Sequence, residues 1–430
     1  MTKFIRFFLF ILFISFSSSP LFSAGNPLIL NLKDALKIGL KNSPELAQAE
    51  KELEKAEFDI AINRAAFYPS ISLEGGYNLS RLHSSPQWNP DYHRGTVGID
   101  WTLYDYGRRS LNLKTTETEK YVLEEDYRKT RQNKALEITS AFLSVLKNKE
   151  LVNLSEKRLK RAKKYYQLAE AKLEVGIVSY ADLLKSKVEV KGAESDTISA
   201  SNALSLSRIK LENVLGLKKE EYRLDSGLKF SFPLVSLEKF LFEALSKRPE
   251  IKKKEGEEIQ LEYAYQLVRK DYLPSLSLKG NYDYYLDRKL SGYSDINDWT
   301  VYLALKIPIF DAGIKRSRLK QAELNREKLQ FAKEESIRDI TGEVSTNFFN
   351  LQNLEKLMGV QGEEVTAATE NLRLATGRYK EGVGSILEVI DAQTDLVSAE
   401  TDKVNTLFDY QLAKANLILS SGEDIEDYLK

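Results

Sequence analysis

The sequence predicts an α+β chain made mostly of long α-helices, in which one unit, a strand hairpin followed by a helical hairpin, occurs twice. Three observations carry this. Two Gly/Ser tips, at 176–179 and 382–385, each join two helical runs, and both Gly176 to Gly382 and Ser179 to Ser385 span 206 residues. Four stretches of period-two alternation lie at corresponding places in the two halves. Further landmarks recur at the same interval: Pro44-Glu45 and Pro249-Glu250 are 205 residues apart, as are Pro69 and Pro274, and Asp105-Tyr106-Gly107 precedes Asp311-Ala312-Gly313 by 206.

In the second tip a run ending Tyr379-Lys380-Glu381 meets Gly382, a residue that takes the left-handed conformation after a helix at no steric cost. Ser385 with Glu388 then makes an S-x-x-E capping box that starts the next helix. In the first tip Gly176 ends the helix and Ser179-Tyr180-Ala181-Asp182 restarts it.

Composition narrows the function classes. At 430 residues the length allows two or three ordinary domains, but the repeat sets the organisation. Lys+Arg 63 against Asp+Glu 63 removes the electrostatic case for nucleic acid as a partner. The absence of cysteine excludes disulfides, thiolate metal sites, a cysteine nucleophile and an N-terminal lipid-bearing Cys. Both histidines, His83 and His93, flank one loop with Asp91, too scattered a set to suggest a metal site or an enzyme; no cofactor and no metal are expected.

Residues 1–25 carry Lys3 and Arg6, the apolar run Phe7–Phe16 and a Ser-rich end at Ser23-Ala24-Gly25, which predicts a secretory signal peptide. The apolar run is about half of the ~20 residues that a span needs, so an uncleaved anchor is the lesser alternative. No later stretch approaches a membrane-spanning helix, and mean hydropathy is −0.37. Any later insertion into a membrane must be β.

The first repeat covers 26–222. A short helix over Leu32–Leu40 is broken at Asn42-Ser43-Pro44-Glu45, and a second runs to about Ala66 before Phe67-Tyr68-Pro69 ends it. Strands follow at about 70–80 and 96–104, each with one apolar and one polar face, giving a hairpin of about eleven residues a side, the length a tilted transmembrane strand requires. A half-buried soluble hairpin is the plainer alternative. Asp105-Tyr106-Gly107 opens a helix without a breaker until Gly176, on the order of 100 Å at ~1.5 Å per residue. After a linker at 223–235 the second repeat, 236–430, places strands at about 275–286 and 299–309, a long helix to Glu381, and a return helix from Ser385 to Leu419 with apolar or small residues at alternating 3–4 spacings.

Four amphipathic strands cannot close a barrel alone, and a membrane sheet has no tolerable edge, so several chains must share one barrel. Each strand pair leads straight into long helices, which predicts a helical tube continuing that barrel.

The duplication, the Asp-x-Gly-x-[RK] turns (Asp105, Gly107, Arg109; Asp311, Gly313, Lys315), the tip Val175-Gly176-Ile177-Val178-Ser179-Tyr180-Ala181-Asp182 and the tip Tyr379-Lys380-Glu381-Gly382 with Ile386-Leu387-Glu388-Val389-Ile390-Asp391-Ala392-Gln393 resemble the TolC-type outer-membrane efflux family, in its unlipidated branch. The resemblance covers nearly the whole mature chain. It implies a homotrimer, a twelve-stranded β-barrel in the outer membrane continuous with a periplasmic α-helical barrel, and an exit duct for efflux or type I secretion. An inner-membrane RND, ABC or MFS-type pump, joined by a periplasmic adaptor (membrane fusion) protein, would supply the energy. Glu388 and Asp391 share a helix face, so three copies would form two acidic rings at the periplasmic gate; Glu388 also has its capping role. By the same resemblance Asp182 and Tyr379 stand where contacts between helices keep the tip closed, while the position after the tip glycine that often carries Arg is Gly384. A structural coiled-coil or adhesin-like envelope protein is the alternative; it leaves the four amphipathic strands unexplained.

Overall fold

The computed structural model describes residues 28–78, 92–217, 222–225, 236–287 and 296–429. The expected signal peptide, most of the loop with His83 and Asp91, and most of the linker fall outside these.

In chain order the elements are β1 (Leu28–Leu30), α1 (Leu32–Lys41), α2 (Pro44–Ala65), β2 (Ser70–Asn78), β3 (Tyr92–Tyr104), α3 (Arg108–Glu174), α4 (Tyr180–Leu215) and β4 (Tyr222–Leu224). There follow α5 (Leu237–Lys247), α6 (Pro249–Lys270), β5 (Ser275–Asp287), β6 (Ile296–Lys306), α7 (Ile314–Lys380) and α8 (Ile386–Ser420), then a short 3-10 turn at Ile425–Tyr428. The helices α3 and α7 are each 67 residues long.

Local chemistry fixes the boundaries. Ser43 accepts from the amide of Leu46 and Pro44 sits in the first turn of α2, where its missing N–H costs nothing. At the start of α3, Tyr106 and Gly107 both have positive φ (55° and 77°), and the Asp105 carboxylate accepts from the amides of Gly107 and Arg109 at 3.1 and 3.0 Å. Asp311 repeats this before α7, accepting from Gly313 and Lys315 at 3.1 and 2.6 Å. Each aspartate satisfies amide groups that a helix start leaves orphaned.

Four boundaries differ from the sequence expectation, one of them the start of the fourth strand at Ile296, three residues early. The second strand begins at Tyr92, four residues early. The fourth ends at Lys306 rather than 309: Ile307 and Ile309 continue the alternation, but Pro308 between them has no amide to give a ladder. Residues 223 and 224, placed in the linker, belong to β4, which pairs in parallel with β1. Neither of these three-residue strands is long enough to show a period.

The four-stranded antiparallel sheet has the order β2-β3-β5-β6. Its register aligns Leu73, Val97, Tyr282 and Trp299 in one row, and Ser72, Gly98, Asn281 and Thr300 in the next, so apolar and polar faces run unbroken across the sheet. No described residue covers the apolar face: Leu73 is 80% and Trp299 72% exposed. Trp101, in a row with Leu278 and Leu303, donates from Nε1 to the Phe67 carbonyl at 3.0 Å.

Below the sheet α2 packs on α3, α3 on α6 and α6 on α7; towards the tips the order is α4, α3, α8, α7. The middle of the tube carries the core: Leu30 and Leu36 with Ile138 and Phe142 of α3 and Leu211 and Leu215 of α4, and Phe240 with Val344 of α7 and Leu417 of α8. Full burial of side chains of this kind contributes roughly 1.5–3 kcal/mol each. No helix among the described residues is long and apolar enough to cross a membrane.

Candidate duct tip

Both tips are built alike. Gly176 (φ 74°) and Gly382 (φ 80°) take the left-handed position. The chain then folds back so that Ile177 donates to the Lys172 carbonyl and Val383 to that of Arg378, at 2.9 and 3.0 Å. Capping boxes restart the helices. Ser179 Oγ accepts from the Asp182 amide at 3.2 Å, Ser385 Oγ from the Glu388 amide at 3.3 Å, and each carboxylate accepts from its serine amide. Gly384 has a steric reason: a Cβ there would lie 2.9 Å from Arg378 Cβ and 3.2 Å from backbone atoms of Arg378 and Tyr379. Arg378 Nε lies 3.4 Å from the Glu388 carboxylate.

The tips are joined by a small core of Tyr165 from α3, Leu372, Ala375 and Tyr379 from α7, and Ile386, Val389, Ala392 and Leu396 from α8. Tyr379 is 1% exposed. The Lys172 ammonium sits 5.1 Å from its ring centroid and donates to the Lys380 carbonyl at 3.0 Å, tying α3 to the end of α7. Asp182 and Tyr379 are neighbours electrostatically but share no hydrogen bond: Asp182 also accepts from Ser179 Oγ at 2.8 Å, and the Tyr379 hydroxyl has no partner among the described residues. Burial, and secondarily the Asp182 charge, push that hydroxyl above its usual pKa.

Further up, a polar network invisible to motif reading fastens the hairpins together. Arg158 on α3 donates to Glu189 on α4 at 2.9 Å and pairs with Asp196. The buried Gln393 of α8 donates to the same Glu189 at 3.3 Å, and Arg161 holds Glu400 of α8 at 3.1 Å. Glu388 and Asp391 lie on the exposed face of α8, and Asp395 and Asp402 continue that face at helical spacing. His93 lies on β3, its ring 4.8 Å from that of Tyr77, away from the tip.

The outer membrane efflux protein profile matches residues 35–217 and again 241–423, one match to each repeat. Outer membrane protein TolC of Vibrio cholerae is 24% identical over 401 residues, covering 91% of this chain and 90% of that protein. The probable efflux pump outer membrane protein TtgC of Pseudomonas putida is 24% identical over 381 residues, covering 84% and 76%. Among solved structures, CusC superposes with a TM-score of 0.82 at 19% identity over 92% of this chain and 94% of its own, a likeness of fold. With both repeats matched and the duplicated strand and helix hairpins in place, the chain belongs to the outer membrane efflux protein family.

Proposed function

We propose that this chain is the outer-membrane channel of a tripartite efflux or type I secretion system, a passive duct of three copies whose barrel lies in the outer membrane and whose helical tube extends through the periplasm. One observation carries the reading. The chain exposes a continuous apolar sheet face and leaves β2 and β6 unpaired at the sheet edges, while α7 and the α2/α4 side end its helical layers. Hydrocarbon tolerates the first only as a barrel wall and forbids the second, so copies must close the sheet; three copies of four strands give the twelve that the family resemblance implies. TolC and TtgC, by their names outer membrane proteins and in the second case part of an efflux pump, support the placement. A periplasmic adaptor and an inner-membrane pump of the RND, ABC or MFS type complete the machine.

At the tip Glu388 and Asp391 would form rings that draw cations to the narrowest part of the duct. Tyr379 would hold the tip shut through ring packing, and Asp182 through its cap. The test is conductance in planar bilayers. Glu388→Ala/Asp391→Ala is expected to lose most of the cation preference and of the block by a trivalent cation seen in wild type. Glu334→Ala/Glu335→Ala, about 70 Å up α7 at ~1.5 Å per residue, is expected to change neither. A tip variant that selects and blocks like wild type would restrict Glu388 to its capping role and turn Asp391 from the axis.

A further inference from the structure

We propose that, in the trimeric duct inferred above, Lys306 on β6 of one copy forms an ion pair with Glu74 on β2 of the next, in a register that the internal duplication dictates. The proposal rests on that trimeric reading and adds to it the residues and alignment of the junction.

The duplication preserves contacts as well as residues. Lys120 of α3 pairs with Glu57 of α2 at 2.8 Å, and the equivalent Arg326 of α7 pairs with Glu262 of α6 at 3.3 Å. The Arg109 guanidinium lies 5.0 Å from the Phe67 ring centroid, and the equivalent Lys315 ammonium 4.1 Å from that of Tyr272. The strand hairpins agree: Gly75 faces Gly95 in the first and Gly280 faces Val301 in the second. Residues of β2 therefore map onto β5 with an offset of 205, and residues of β3 onto β6 with 206.

One junction of the duct is already inside the chain. β3 of the first repeat pairs with β5 of the second, and the junction between copies joins the equivalents of those strands, β6 and the neighbour's β2. In the internal junction Asp100 faces Lys279, with 2.9 Å between Oδ2 and Nζ. The two offsets turn this pair into Lys306 facing Glu74. The charges have exchanged sides and the pairing survives, which a register unrelated to the internal one would have no reason to produce. Both residues are exposed and have no ion partner among the described residues.

The neighbouring positions fit the same alignment. Val97 facing Tyr282 becomes Leu303 facing Tyr77, and Trp101 facing Leu278 becomes Ile307 facing Leu73, so the apolar face continues across the boundary. A slip of one residue would set Lys306 against Leu73 or Gly75 and turn one strand's apolar side towards the bore. The helical layer keeps less charge: Asp126, paired with Lys253 at 2.8 Å inside the chain, is replaced at the junction by Ala332, and Lys253 by Gln48. The sheet pair thus supplies alignment that the helices there do not.

The chain has no cysteine, so introduced pairs report cleanly. Glu74→Cys/Lys306→Cys, oxidised in isolated outer membranes, is expected to give disulfide-linked dimers and trimers on non-reducing gels. Each single variant and the out-of-register Ser72→Cys/Lys306→Cys are expected to give none, because directly facing Cβ atoms are ~4.5–5.5 Å apart and next-but-one positions are beyond disulfide reach. As an independent arm, Glu74→Lys should lower the temperature at which the trimer dissociates by several degrees, and Glu74→Lys/Lys306→Glu should restore it. A wild type that never trimerises would remove the duct reading itself. A trimer that forms but cross-links through Ser72, or not at all, or whose charge exchange restores nothing, would overturn the junction alone.

Discussion

Tyr379 is a buried ring whose hydroxyl has no partner among the described residues, and the two parts of the side chain make opposite predictions. Deleting the ring should open a cavity in the tip core at a cost of about 3–5 kcal/mol, so Tyr379→Ala is expected to raise the resting conductance of the channel. Tyr379→Phe removes only a buried polar atom with no partner among the described residues, and should leave conductance as in wild type with equal or greater heat stability. The same burial gives a pH signature. Because the folded hydroxyl titrates above its ordinary value of 10.0, the unfolded chain loses the proton first. Stability from this group is therefore full below pH 10 and falls as pH rises beyond it. Thermal scans should show this alkaline loss in wild type and a smaller one in Tyr379→Phe. Of these features the sequence showed both glycine turns and the capping box of Ser385 with Glu388, since each is a local pattern, while Tyr379 was singled out by the family resemblance alone. It did not show Lys172 under the Tyr379 ring, or Arg158 and Arg161 reaching α4 and α8, because nothing local links side chains that meet only after one hairpin has closed or two have packed together.

At the scale of elements, the two hairpins share geometry but not charge. Near the tips, residues 149–164 and 180–196 of the first hairpin carry ten bases and six acids, whereas the equivalent residues 355–370 and 386–402 carry one base and nine acids. Side-by-side packing of α3 on α8 brings the unlike segments together, with Arg161 to Glu400 as the direct contact. Attraction of this kind is screened by salt over a Debye length of roughly 10 Å at 0.1 M and 3 Å at 1 M. Protease cleavage within 176–179 and 382–385 is accordingly expected to speed up between low and high salt, and to lose that dependence in Arg158→Gln/Arg161→Gln. The joint between α5 and α6 is more protected. Arg248 there binds Glu250 at 3.0 Å and Glu343 at 2.6 Å. Burial opposes the charge of Glu250, but Arg248 outweighs it and holds the carboxyl below its ordinary 4.5. This stabilisation is present above that value and disappears as pH falls through the lowered one. Arg248→Met should cost about 2–3 kcal/mol, less than a fully buried pair would, and should flatten the acid limb of a stability profile. The four sheet strands and the long helices were legible, since period two and breaker-free helical runs are strong patterns; the three-residue strands β1 and β4 were not, being too short to show a period. The end of β6 was not, because the apolar alternation of Ile307 and Ile309 runs straight past Pro308.

For the whole molecule, the proposed duct makes one fact of the open edges and the uncovered apolar face: each chain would be a third of a wall. Its central claim is that one face of the sheet meets lipid while the other lines a water-filled bore. The most direct measurement is a cysteine scan along β5 in intact outer membranes, read by labelling with a membrane-impermeant maleimide. Lys279→Cys, Asn281→Cys and Asp283→Cys are expected to label, and Leu278→Cys and Tyr282→Cys to remain unlabelled until detergent is added. Equal labelling at all five positions, or the inverse alternation, would contradict the barrel.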